Sequence, residues 1–305
     1  MTEPPRVAVL GEVMLEFSRG SAADPRYRLN YAGDSYNTAV TLARLGVATA
    51  YVSLLGPDRY SDDIVAHASA EGLDTDGLLR DDSGLPGMYM IRTDTAGERR
   101  FDYWRSDSVA RRLLQDPQRV ERVYACLARS PWLYLSGITM AVIGLSAPAV
   151  FWRLLERLRD AGVRFAFDPN WRPALWADRQ LARQMYRRLI AMCAWTFPTY
   201  DDESALWGFD SAEAVLDWHA GLGVSEIVLK CPQAEAVADV GGRRIHRRSD
   251  YAGPVVDTTG AGDAFNAGYM AARLAGADVG VALEQAHASA ARTLACSGAI
   301  PDRVC

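Results

Sequence analysis

Short apolar runs alternate with helix-like segments along most of the chain, and this alternation limits the fold more than any other feature. Val7–Leu10 ends in Gly11, Thr49–Leu55 in Gly56-Pro57-Asp58, 132–135 in Ser136-Gly137, 163–167 in Asp168-Pro169-Asn170 and 227–229 in Lys230. Runs that are apolar at most positions, rather than at every second one, are what strands buried on both faces of a parallel sheet require. The intervening segments have helical spacing. Between 146 and 162, Val150, Leu154, Leu155 and Leu158 share one face, Ser146 is placed as N-cap with Pro148 in the first turn, and Gly162 is the stop. Repeated strand–helix–strand units predict an α/β fold, a doubly wound and mostly parallel sheet with helices on both faces. Ligands in such sheets bind beyond the carboxyl ends of the strands, so the residues closing the runs are the first candidates for a site.

The alternation breaks between 85 and 105. There, 86–92 and 99–105 read as a hairpin around Thr95-Ala96-Gly97, a three-residue loop with glycine in the left-handed last position. That turn sets Asp94 opposite Glu98, Ile91 opposite Phe101 and Tyr89 opposite Tyr103. Period two then puts Tyr89, Ile91, Phe101, Tyr103 and Arg105 on one face. Two phenols and a guanidinium are polar for a plain packing face and suit an oxygen-rich, anionic ligand. Residues 12–17 and 27–31 predict two more strands. The insertions at about 12–31 and 85–107 thus predict a small β-rich lid on a single domain spanning 1–305.

Composition removes other classes. A chain of 305 residues, 49% hydrophobic and 23% charged, can bury a large core without staples and is not disordered. Its 33 basic and 38 acidic residues give −5, with no basic run that would neutralise phosphates, so nucleic acid is not an expected partner. No stretch of 18 apolar residues occurs and residues 1–6 do not read as a signal peptide, so a cytoplasmic protein with no membrane partner is expected. The five cysteines (Cys126, Cys193, Cys231, Cys296, Cys305) are odd in number and lack C-x-x-C spacing, predicting neither a disulfide framework nor a zinc site.

Chemistry concentrates in Asp257-Thr258-Thr259-Gly260-Ala261-Gly262-Asp263-Ala264-Phe265, ahead of a small-residue helix predicted over 266–275. Glycines at a helix N-terminus leave N–H groups and the helix dipole open to an anion. Asp263 beside them reads either as a stabilising first-turn acid or as the acceptor of a proton from a hydroxyl attacking a phosphoryl group. Phe265 replaces the third glycine of G-x-G-x-x-G, no G-x-x-x-x-G-K-[ST] occurs, and no H-E-x-x-H exists among His67, His219, His246 and His287. Dinucleotide, P-loop and metalloprotease readings therefore lose support.

The segment from Asp257 to Asp263 resembles the C-terminal signature of the ribokinase-like (PfkB) sugar kinases, and Ala32-Gly33-Asp34-Ser35-Tyr36-Asn37 resembles their N-terminal one. Segments beginning at Gly11, Leu85, Gly97, Tyr134, Asn170 and Asp202 look, in order, like those of the branch acting on 2-keto-3-deoxygluconate. The resemblance implies ATP and Mg2+, with a monovalent cation as a further candidate, and a sugar-acid substrate phosphorylated on its terminal hydroxyl. It implies Asp263 as base with the N–H groups of Gly260, Ala261 and Gly262 at the transferred group. Gly33, Asp34, Asn37, Tyr89, Tyr103, Arg105 and Arg172 would hold the sugar acid. Asn170, Arg172, Thr199, Lys230, Gly260, Gly262 and His287 would serve the nucleotide, and Asp202 a metal through water.

Departures are informative. The family's paired glycine reads Ala32-Gly33, expected to stiffen that hinge or narrow the approach to the sugar. Its N-x-x-E reads Thr199-Tyr200-Asp201-Asp202, and its K-x-G-x-x-G reads Lys230-Cys231-Pro232-Gln233-Ala234-Glu235, with both glycines lost and Pro232 removing a donor. A fructokinase, another sugar-acid kinase of the family and a non-catalytic sugar-acid binding protein stay open at this point. An exposed face on the lid predicts a homodimer or higher oligomer. Because both expected ligands are anions and the net charge is −5, binding must rest on local groups, chiefly the helix N-terminus, Arg105 and Arg172.

Overall fold

The computed structural model describes residues 7–19, 26–93 and 99–302. Its strands are β1 (Val7–Leu10), β2 (Met14–Ser18), β3 (Arg28–Ala32), β4 (Thr49–Leu55), β5 (Leu78–Arg80), β6 (Met88–Thr93), β7 (Arg99–Trp104), β8 (Trp132–Ser136), β9 (Arg164–Asp168), β10 (Trp195–Thr196), β11 (Glu226–Cys231), β12 (Glu235–Val240) and β13 (Arg243–Arg248). The α-helices are α1 (Asp34–Arg44), α2 (Arg59–Ala70), α3 (Pro117–Leu127), α4 (Gly137–Val142), α5 (Pro148–Asp160), α6 (Arg179–Ile190), α7 (Tyr200–Trp207), α8 (Ala212–Gly221), α9 (Ala261–Leu274) and α10 (Val279–Leu294).

One sheet has the order β13-β12-β11-β10-β9-β8-β1-β4-β5. From β11 to β5 every pairing is parallel, and β12 and β13 close the far edge antiparallel. Side chains alternate between its faces: Ala8, Leu10, Leu133, Leu135, Phe165 and Phe167 pack with α3, α5 and α6, whereas Val7, Val9, Trp132 and Tyr134 pack with α1, α9 and α10. Both faces are covered, which is why the strands read as mainly apolar runs without strict alternation. α5 starts differently from expectation. Its N-cap is Ala147, because the Ser146 hydroxyl turns back to the Val142 carbonyl at 2.8 Å. Gly162, with φ +86, does end it.

The second sheet, β3-β2-β6-β7, is the lid. β6 and β7 pair with Tyr89 opposite Tyr103 and Ile91 opposite Phe101, the predicted register. The Thr95-Ala96-Gly97 turn and the Asp94–Glu98 pair lie outside the described residues, as do 1–6 and Cys305. Cys193 and Cys231 are free thiols, but Cys296 is disulfide-bonded, against the expectation of none. Cysteine count and spacing carry no signal for a pairing that only the fold creates. No single helix among the described residues is long and apolar enough to cross a membrane.

Candidate active site

The carboxyl ends of β9 and β11, the N-termini of α1 and α9 and the inner face of the lid enclose a cleft of about 630 Å3. α9 begins at Ala261, five residues before the predicted start, so Asp263 sits in its first turn with Gly260 as N-cap at φ +77. A Cβ on Gly260 would lie 2.5 Å from the Ala299 carbonyl oxygen, so only glycine fits. Asp257 ties this loop down: its Oδ1 accepts from Thr259 N at 2.9 Å and its Oδ2 from Gly298 N at 2.7 Å. Thr258, Thr259, Gly260, Gly262 and Asp263 line the cleft. Ala261 does not, and its N–H goes to the Thr258 carbonyl at 3.3 Å.

Asp263 is buried, and Asn37 on α1 donates its amide to Asp263 Oδ2 at 2.8 Å while accepting from Gly33 N at 3.3 Å. Asn37, read as a sugar ligand, thus also fixes this carboxylate. Burial, then the neighbouring charge of Asp34, pushes the Asp263 carboxyl well above the usual range, with Asn37 and Lys230 opposing. Asp34 accepts from Asn170 Nδ2 at 2.9 Å, and burial raises its carboxyl too. Asn170 holds φ +38, a left-handed conformation that asparagine tolerates better than most residues. Gly33 is required by close approach, since a Cβ there would meet the Glu12 carbonyl oxygen at 2.3 Å.

The lid contributes Tyr89, Phe101, Tyr103 and Arg105. The buried Arg105 guanidinium pairs with Glu12, which also accepts from Ser108, and its Nε is left without a partner. Tyr89 donates to Glu16. Across the cleft, Arg172 Nη1 lies 3.2 Å from Asp202 Oδ2, with the arginine side chain 51% exposed. Thr199, Asp201 and Lys230 line the same end, and Met14 and Ile138 add apolar wall. Asp168, which in sequence only closes a strand, stands at the carboxyl end of β9 and lines the cleft. Its Oδ2 accepts from Asn266 Nδ2 at 2.7 Å, and its buried Oδ1 has no partner.

Residues 4–304 match the pfkB family of carbohydrate kinases. The chain belongs to this family. It is 37% identical over 306 residues to the 2-dehydro-3-deoxygluconokinase of Dickeya dadantii, covering 96% of each chain. Among solved structures it resembles a PfkB protein from Polaromonas sp. JS666, with 26% identity, TM-score 0.84 and 97% of each chain covered. It also resembles a putative ribokinase II from E. coli in complex with ATP and Mg2+, with 21% identity, TM-score 0.83 and 97% and 94% coverage.

Seen as a pfkB kinase, the chain accommodates its departures locally. Ala32 does not line the cleft; its methyl packs with Met14, Tyr89, Ile91 and Ala299 under the lid. The loop after Lys230 forms without glycine by holding Gln233 and Ala234 at φ +58 and +56. Arg248 grips it, Nε to the Gln233 carbonyl at 3.1 Å and Nη2 to Gln233 Oε1 at 3.2 Å. This loop stays outside the cleft, as does His287, whose ring packs on Phe265 with Nε2 3.3 Å from the Arg247 carbonyl. Among the described residues no three metal-ligating side chains cluster. Mg2+ nevertheless fits the unpartnered Asp168 oxygen, with Asp201 and Asp202 nearby, because it takes one or two carboxylates and completes its shell with water and phosphates.

Proposed function

We propose that the protein transfers the terminal phosphoryl group of ATP to the 6-hydroxyl of 2-keto-3-deoxygluconate, giving 2-keto-3-deoxy-6-phosphogluconate and ADP. The observation that carries this reading is one cleft uniting a buried carboxylate at a helix N-terminus with two arginines and two tyrosines. Asp263 takes the hydroxyl proton, and the N–H groups at Gly260 and Gly262 face the charge that develops on the transferred group. Gly33, Asp34 and Asn37 hold sugar hydroxyls, and Tyr89 and Tyr103 close over them. Arg105 and Arg172 meet the carboxylate, for which a guanidinium is the matched partner. Met14 and Ile138 suit the CH2 of a 3-deoxy sugar. The ribokinase-like neighbour is described with ATP and Mg2+; in this chain Asp168 and, through water, Asp202 would hold the ion. The magnesium ion would neutralise phosphate charge. Asn170, Thr199 and Lys230 lie toward the nucleotide.

ADP release measured over a panel of sugars tests the substrate. The keto-deoxy acid should turn over while fructose and ribose do not, and the opposite pattern overturns the reading. Arg172→Ala should lower kcat/KM for the acid by about 10–100-fold, the worth of one charge-assisted contact. A neutral sugar would be nearly indifferent to it.

The same reading takes the whole chain as one cytoplasmic kinase domain whose lids pair in a homodimer. Trp104, half exposed on the face of β7 opposite Tyr103, supplies aromatic surface for that contact. Sedimentation showing only monomers at micromolar concentration would remove the dimer.

A further inference from the structure

The chain has thirty-two arginines and one lysine, Lys230. Wherever a positive charge on a long stem is enough, this protein carries arginine; at 230 it carries a compact ammonium with three tetrahedral donors in place of a planar fork. The surroundings explain the difference. The backbone of Lys230 is fixed on β11, with its N–H on the Pro198 carbonyl at 2.9 Å, a bridge to Thr199 and pairing with Ala236. The side chain is 14% exposed. Nζ donates to Asn266 Oδ1 at 2.9 Å and lies 3.4 Å from Asp168 Oδ2, and Asn266 closes the ring by donating to that same oxygen. Asn266 is fully buried one turn beyond Asp263 on α9, and its amide also reaches the Tyr134 hydroxyl at 3.1 Å. A guanidinium, wider and planar, cannot complete this three-membered ring at the same distances.

The ring uses two of the three ammonium N–H groups, and Lys230 lines the cleft together with Gly260, Gly262 and Asp263. That cleft carries five carboxyl groups, those of Asp34, Asp168, Asp201, Asp202 and Asp263, against three cations. Charge for an incoming phosphate must therefore be delivered at a point. We propose that the Lys230 ammonium is a catalytic group of the phosphoryl transfer, held by Asn266 and Asp168 so that its third N–H meets the oxygens of the group in flight. In that step the acceptor oxygen forms its bond to phosphorus as its proton passes to Asp263. The bond from phosphorus to the bridging oxygen breaks, and its electron pair leaves with ADP. Lys230 exchanges neither proton nor electron; it offsets the charge on the equatorial oxygens.

The proposal rests on reading this cleft as the phosphoryl-transfer site, not on which sugar accepts. Because there is one lysine, an amine-acylating reagent has a single side-chain target, and peptide mass spectrometry reads its occupancy. Without any sugar, Mg2+ and ADP at about ten times Kd should slow acylation of Lys230 roughly tenfold by occupancy, whereas the sugar acid alone should leave it unchanged. Lys230→Met and Lys230→Arg should each lose about 10²–10³ in kcat, as removal of one preorganised donor does. The sugar-acid dissociation constant by calorimetry should stay near wild type. Methylammonium added to Lys230→Ala should restore part of kcat saturably, and tetramethylammonium should not. Acylation indifferent to nucleotide, or a Lys230→Arg enzyme at full rate, overturns the proposal. If the variants do not fold, wild-type protection by Mg2+, ADP and a planar metal fluoride decides: it must exceed protection by Mg2+ and ADP alone, because only the fluoride fills the place of the transferred group, and equal protection overturns the proposal. A panel pointing to a different acceptor sugar would overturn the substrate and leave the protection result standing.

Discussion

An Asp263→Asn enzyme should bind the sugar acid almost as well as wild type and turn it over about 10²–10⁴-fold more slowly, the usual cost of losing a positioned base. Asparagine keeps the volume of this buried first-turn residue, and the helix N-terminus around it is unchanged. What it removes is the proton acceptor. Near-normal turnover in this variant would take the role of base away from Asp263. The acid side of the pH profile gives a second reading. A base must be ionised to act, and burial with the nearby Asp34 charge raises this carboxyl well above its usual range. The acid limb of kcat/KM should therefore lie clearly above pH 4, where an exposed aspartate would put it. Stability carries the opposite sign. A carboxyl whose folded pKa is raised favours the folded state at low pH, and that contribution is lost as pH rises through the folded value. Asp263→Asn should consequently melt higher than wild type at neutral pH, and the difference should shrink on acidification.

Gly260→Ala should lose both stability and rate, whereas Gly262→Ala should lose rate alone. At 260 the added methyl meets a backbone oxygen at 2.5 Å on a residue held at φ +77, where a non-glycine residue costs about 1–3 kcal/mol before the clash is counted. Either the anion loop or the segment around Ala299 must shift, and the Gly298–Asp257 hydrogen bond couples the two. A displacement near 1 Å at the transferred group is enough for about a 10²-fold loss of kcat. At 262 the methyl finds open space in the first turn of α9, where alanine is the better helix former, but that space is the cleft. Thermal midpoints and kcat for the pair check both statements. An unchanged midpoint in Gly260→Ala would show that the loop yields without strain.

The parallel sheet was legible because burial on both faces removes the in–out alternation of a half-exposed strand, as in β4 and β8, in which every residue is buried. The lid register was legible from a glycine turn and period two. β10 was not, since two residues make no pattern. The start of α9 is hidden because Gly260-Ala261-Gly262 has the composition of a loop, while the helix begins at Ala261. Among cleft residues, those in the two signature segments could be read directly. Glu12, which anchors the cleft residue Arg105 from behind, could not, because the two lie 93 positions apart. Asp168 gave no hint beyond ending a strand, and its bonds to Lys230 and Asn266 exist only once β9, β11 and α9 converge. For Lys230 a signal was present in composition, as the single lysine of an arginine-rich chain.

The nine-stranded sheet has two open ends, and they differ. β5 is three residues long, while β13 puts four arginines into six positions. An unpaired strand edge is a template for another chain, and shortness and like charge are two ways of spoiling it. Two β13 edges brought together would oppose arginine to arginine along their length. Resistance to fibrillar aggregation at high concentration is thus built into where the arginines stand, and owes little to a net charge of −5.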